Sequence, residues 1–142
     1  MMYDPFMVKP MREELTGIGF NEMRTPEEVD KLMAESKGTT LLVVNSVCGC
    51  AAGQARPGVA LALTNEVKPD KLVTVFAGQD VEATAHARSY IKGYPSSSPS
   101  VALFRDGELV FMLERNQIEG RSAEQVAMDL IAKFEKFCNS ND

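Results

Sequence analysis

Two side-chain types in this chain are read as nucleophiles or soft ligands at neutral pH without a cofactor: the cysteines, Cys48 and Cys50 separated by Gly49 and a distant Cys138, and a single histidine, His86. Two thiols one residue apart admit three chemistries. They can exchange with disulfides, they can ligate a metal, or they can be small buried residues with no chemistry at all. Metal ligation lacks partners in the sequence, because Cys138 lies 88 positions beyond Cys50 and His86 has no ligand spacing to either. Exchange gains support from position. The pair follows the apolar run Leu41-Leu42-Val43-Val44 and precedes the small-residue segment Ala51 to Asn65, which reads as a helix kinked by Pro57. A thiol between a strand end and a helix start faces unpaired backbone N–H groups and the positive end of a helix dipole, which favour the thiolate. The thiolate is the species that attacks disulfides. Gly49 is expected to let the loop adopt backbone angles closed to other residues. A Cys48–Cys50 disulfide closes a smaller ring than a CxxC pair does, so an easily reduced bond is expected.

The elements that must hold this pair follow from periodicity and caps. Phe6, Met7, Met11, Leu15 and Ile18 recur at helical spacing and predict an apolar face on an N-terminal helix stopped by Gly17 and Gly19. Phe20–Arg24 predicts a short strand. Thr25-Pro26-Glu27-Glu28 predicts a helix start with a capping box, and Gly38 its end. Thr39–Val47 predicts a strand buried on both faces, and Leu72–Ala77 a second. Asp80–Ile91 predicts a helix with Asp80 as its N-cap. Val101–Phe104 and Leu109–Leu113 predict a hairpin turning at Asp106-Gly107. Ala123–Phe137 closes the chain as a helix capped by Ser122 and Gln125, burying Val126, Leu130, Phe134 and Phe137. Alternating strands and helices followed by a hairpin predict an α/β fold, a mixed central sheet flanked by helices on both faces. The 142 residues predict one domain, with 1–38 supplying a helix, a short strand and a second helix, and 39–142 supplying the redox core.

The order of strand, cysteine motif, kinked helix, strand, helix, Ser98-Pro99, hairpin and final helix resembles the thioredoxin fold. That resemblance implies that Pro99 is cis and lies against the sulfurs. Three features depart from thioredoxin: the chain has no Trp, the spacing is CGC, and no acidic residue lies in Thr39–Val47, where Asn45 is the candidate polar neighbour. MREELTGIGF, TTLLVVNSVCGCAAGQARPGV, VTVFAGQDVEATAHAR, PSSSPSVALFRDGE and RNQIEGRSAEQV are more closely similar to the bacilliredoxin family, across nearly the whole chain. The similarity implies removal of the low-molecular-weight thiol bacillithiol from S-thiolated cytosolic proteins, with bacillithiol as redox co-substrate and no bound cofactor. It also implies Cys48 as nucleophile, Cys50 as resolving thiol, and bacillithiol or a reductase system to reset the pair. A general thiol–disulfide isomerase or oxidoreductase, and a non-catalytic redox-sensing or metal-binding module, remain the alternatives.

Other residues carry weaker expectations. Asn45 and Ser46 can orient the cysteine loop through backbone hydrogen bonds. Ser98 and its neighbours can offer backbone groups to an extended substrate. Arg56 is read as a solvated helix arginine able to attract the carboxylates of bacillithiol's malate moiety. Cys138 is either an incidental thiol or a third redox cysteine. Composition narrows the partners: 15 basic against 20 acidic residues leave a net charge of −5, which argues against nucleic acid. No apolar run approaches a membrane span and no signal-peptide core opens the chain, so a cytoplasmic protein is expected.

Overall fold

Seven consecutive buried residues, Thr39–Asn45, form β2 and decide the architecture. A strand buried along its whole length needs neighbours on both edges and cover on both faces. In the computed structural model, which describes residues 2–34 and 37–139, β2 has all four. It pairs in parallel with β3 (Lys71–Phe76) and antiparallel with β4 (Ser100–Arg105). The two-residue β1 (Asn21–Glu22) extends the sheet beyond β3, and β5 (Glu108–Leu113) extends it beyond β4, giving the order β1-β3-β2-β4-β5. Asp106 and Gly107 turn the β4–β5 hairpin with φ of 51° and 84°, the left-handed pair that a two-residue turn requires.

Alternation along the strands divides the core in two. Leu41, Val43, Val101 and Leu103 face α3 (Arg56–Ala62), α5 (Ala123–Phe137) and Leu15 of α1 (Pro5–Thr16). Leu42, Val44, Val73, Val75, Ala102 and Phe104 face α2 (Pro26–Met33) and α4 (Val81–Arg88). The Ser122–Gln125 capping box is present at the start of α5, and Gly58 lets α3 approach it closely: a Cβ there would meet Val126 Cγ1 at 2.7 Å. Among the described residues, no helix is long and apolar enough to cross a membrane.

Several elements differ from expectation. The buried face of α1 is Val8, Arg12 and Leu15, while Phe6, Met7 and Ile18 are exposed. Arg12 is drawn inward by Glu22 and Asp80, a pairing that apolar periodicity cannot register. Asp80 precedes α4 but does not cap it, because both its carboxylate oxygens accept from Arg12. Thr25 caps α2 as predicted, but Glu28 reaches past it to accept from Arg24 N–H. That helix ends at Met33, before Gly38, and residues 35 and 36 of the predicted span lie outside those described. After the cysteines the chain makes a π-helical turn, Ala51–Ala55, before α3, which ends at Ala62 short of the predicted Asn65. The irregularity therefore precedes Pro57, which fits at the N-terminal end of a new α-segment where its missing N–H has no helical partner to lose.

Candidate functional site

The site begins where β2 runs out. Asn45, its last residue, is buried and three of its side-chain contacts are polar: Nδ2 donates to Met11 O, while Oδ1 accepts from Ser46 N–H and from Arg56 Nη1. Ser46 Oγ then accepts from Cys48 N–H at 2.9 Å. Each bond holds the next residue, so the turn carrying Cys48 is fixed to the sheet edge rather than left as a free loop.

Cys48 and Cys50 are free thiols whose Sγ atoms lie 2.7 Å apart, and Cys50 N–H points at Cys48 Sγ at 3.4 Å. The two sulfurs are not equivalent. Hydrogen bonding from the Cys50 thiol, backbone N–H groups of Cys50 and Ala51, and the charge of Arg115 hold the Cys48 thiol below its ordinary value. Burial, then the hydrogen bond to and the charge of Cys48, push Cys50 up to about 11. One thiol is therefore biased toward the thiolate and its neighbour toward the protonated donor. Cys48 is the sulfur that ionises first.

The hairpin brings the remaining groups to the same edge. Ser100 pairs with Val44 near the end of β2, so the cis Ser98–Pro99 bond, with Pro99 buried, lies at that edge too. Leu113 pairs with Val101, and Arg115, two residues on, emerges opposite Pro99. Arg115 N–H donates to Ser97 Oγ and its Nη1 to Ser98 O, both at 3.4 Å, and Nε pairs with Glu119 at 3.1 Å. Arg88 Nη2 and Ser100 Oγ both donate to Ser97 O, fixing the loop from behind. No local motif marks Arg115. Counting outward from the Asp106-Gly107 turn places it within one residue of Pro99, a signal that was present.

Two expected roles need correction. Arg56 is 3% exposed, and its guanidinium serves Asn45, the Ser46 carbonyl and, through Nε, Glu14. A side chain enclosed in this way braces the cysteine loop and cannot meet a carboxylate arriving from solvent. Gly49 is exposed, has no left-handed φ, and a Cβ there would meet nothing within 4 Å, so the loop does not require glycine for conformation or internal space. Asn45 and Ser46 do support the loop, and Ser98 contributes its carbonyl to Arg115. His86 is half-exposed and pairs with Asp30, which also accepts from Tyr90, so it takes no part in the site. Cys138 bonds to Thr39, at the far end of β2, six strand residues or roughly 20 Å from the cysteine turn. Among the described residues, no group of three His, Cys, Asp or Glu is placed to hold a metal.

A family profile described as Disulphide isomerase matches residues 3–138. A protein of Salinibacter ruber named Bacilliredoxin is 53% identical over 144 aligned positions, spanning 100% of this chain and 85% of that protein. Another so named, from Geobacillus kaustophilus, is 54% identical, spanning 97% of this chain and 98% of its own length. Among solved structures, the thioredoxin of Fasciola hepatica superposes with a TM-score of 0.56 over 83% of this chain and 99% of its own, at 19% identity. At that identity the likeness concerns the fold, which is thioredoxin-like.

Proposed function

The chain belongs to the bacilliredoxin family of thioredoxin-fold thiol oxidoreductases, and we propose that it removes bacillithiol from S-bacillithiolated proteins in the cytoplasm. The observation that carries the proposal is the asymmetric pair: sulfurs 2.7 Å apart, one held below and the other above the ordinary thiol range. In the first step the Cys48 thiolate attacks the bacillithiol sulfur of the mixed disulfide. A Cys48–bacillithiol disulfide forms, the protein–bacillithiol bond breaks, and the target cysteine leaves as a thiolate that takes a proton from water. Bonding Cys48 removes the charge and the hydrogen bond that help hold Cys50 protonated, leaving burial as the main remaining restraint. Cys50 then loses its proton and attacks Cys48 Sγ, expelling bacillithiol thiolate and leaving a Cys48–Cys50 disulfide. The mixed disulfide gains two electrons and the dithiol loses two. Two equivalents of free thiol, or a dedicated reductase, restore the dithiol.

Asn45, Ser46 and Arg56 serve this chemistry by holding the turn, and the cis Ser98–Pro99 loop bounds the site. A second reading is favoured by the family description itself: a general protein disulfide isomerase or oxidoreductase using the same two sulfurs. The reduced chain should be incubated with one target protein capped by bacillithiol and, separately, by glutathione. Faster uncapping of the bacillithiolated form, with loss of two mass units as Cys48–Cys50 oxidises, is the expected result. Equal rates on the two caps move the assignment to the general oxidoreductase, and uncapping of neither contradicts both readings.

A further inference from the structure

With Arg56 enclosed, a cation facing the sulfurs must come from elsewhere. We propose that Arg115 is the recognition residue for a carboxylate carried by the low-molecular-weight thiol, its guanidinium holding that carboxylate while the thiol's sulfur is bonded to Cys48. The inference rests on the uncapping function proposed above, and it names the residue that selects an acidic cap.

The hairpin register sets Arg115 opposite Pro99, and its backbone N–H and Nη1 engage Ser97 and Ser98 on the same loop. It is the arginine whose charge acts on both Cys48 and Cys50. The other arginines near this edge are engaged elsewhere, Arg88 with the Ser97 carbonyl from behind the loop. Arg12 holds Glu22 and Asp80, and Arg56 holds Glu14, Asn45 and Ser46. Arg115 differs because its side chain is 45% exposed and its acidic partner, Glu119, is 50% exposed. Nη1 makes a long contact of 3.4 Å, and Nη2 donates to none of the described residues. A planar guanidinium with free donors suits a carboxylate in a two-point contact, which a lysine cannot reproduce. Exchanging the Glu119 carboxylate for an incoming one buries no new charge, because the pair already sits in solvent. On a chain of net charge −5, such a point of attraction beside the sulfur decides whether an acidic thiol is drawn in or turned away.

Paired alkylation tests this without reference to the natural substrate. Reduced wild type and Arg115→Gln are treated with iodoacetate, which carries a carboxylate, and with iodoacetamide, which does not; modification of Cys48 is read by peptide mass spectrometry. Loss of thiolate stabilisation slows both reagents, whereas loss of a carboxylate site slows iodoacetate more. The iodoacetate-to-iodoacetamide rate ratio should fall about fivefold in Arg115→Gln and recover in part in Arg115→Lys. Uncapping of a bacillithiolated protein should likewise suffer about fivefold more than uncapping of the same protein carrying a neutral 2-mercaptoethanol cap, with the difference in KM. An unchanged alkylation ratio with equal losses on both caps overturns the proposal. If wild type uncaps neither protein, the uncapping function fails, while the alkylation ratio still decides whether Arg115 receives a carboxylate.

Discussion

The asymmetry of the two sulfurs makes a quantitative prediction. With Cys50 at about 11, its thiolate fraction at pH 7 is about one in ten thousand; a thiol at the ordinary 9.0 would be about one in a hundred ionised, and Cys48 lies below that value. Occupancy therefore favours Cys48 by more than about a hundredfold. The more acidic thiolate is intrinsically the weaker nucleophile, and a Brønsted slope of about 0.5 over two units returns about tenfold. Occupancy wins, so iodoacetamide at pH 7 should modify Cys48 at least about ten times faster than Cys50. Raising the pH toward about 11 should bring Cys50 in. Replacing Cys48 with Ser removes the neighbouring charge, so the Cys50 profile should move to lower pH yet stay above the ordinary thiol range, because burial persists. Peptide-resolved mass spectrometry across the pH series measures both. Comparable rates at pH 7, or a Cys50 profile indifferent to Cys48→Ser, would refute the reasoning.

Four further outcomes follow from packing and placement. Arg56→Met strips two buried acceptors, Asn45 Oδ1 and Ser46 O, of a charged donor and should cost about 3 kcal/mol by urea denaturation; a loss below about 0.5 kcal/mol would mean that Arg56 does not brace the loop. Gly58→Ala drives a methyl into Val126 and the Ala123 carbonyl and should cost about 1–3 kcal/mol. Gly53→Ala meets open space on an exposed turn and should leave the urea midpoint unchanged or raised. Cys138→Ser should leave uncapping within about twofold of wild type, because Cys138 sits at the opposite end of β2.

Where local patterns carried the information, they carried it well. The continuous apolar run of β2, the Ser122–Gln125 box that opens α5 and the Asp106-Gly107 turn each depend on residues within a few positions, and each formed as its neighbours dictated. The features that differ from expectation depend on residues far apart in the chain. Arg56 is buried because Glu14, 42 positions earlier, and Asn45, 11 earlier, surround it; nothing in its own helix marks it as internal. Arg12 turns inward for Asp80, 68 positions later, which displaced both the expected face of α1 and the expected cap of α4. The cysteine pair was legible because its chemistry is local to a strand end. Arg115 is legible only through the hairpin register, which reaches within one residue of Pro99 when counted from the turn and is completed by the shift between Leu103 and Phe104.

The central claim is that Cys48 attacks and Cys50 resolves. Cys50→Ser, incubated with a bacillithiolated protein and digested under non-reducing acidic conditions, isolates the first step. The account predicts one bacillithiol per chain, on the peptide containing Cys48, together with an equal amount of uncapped target. A cap found on Cys138, or an uncapped target with no cap retained on Cys48, would contradict it.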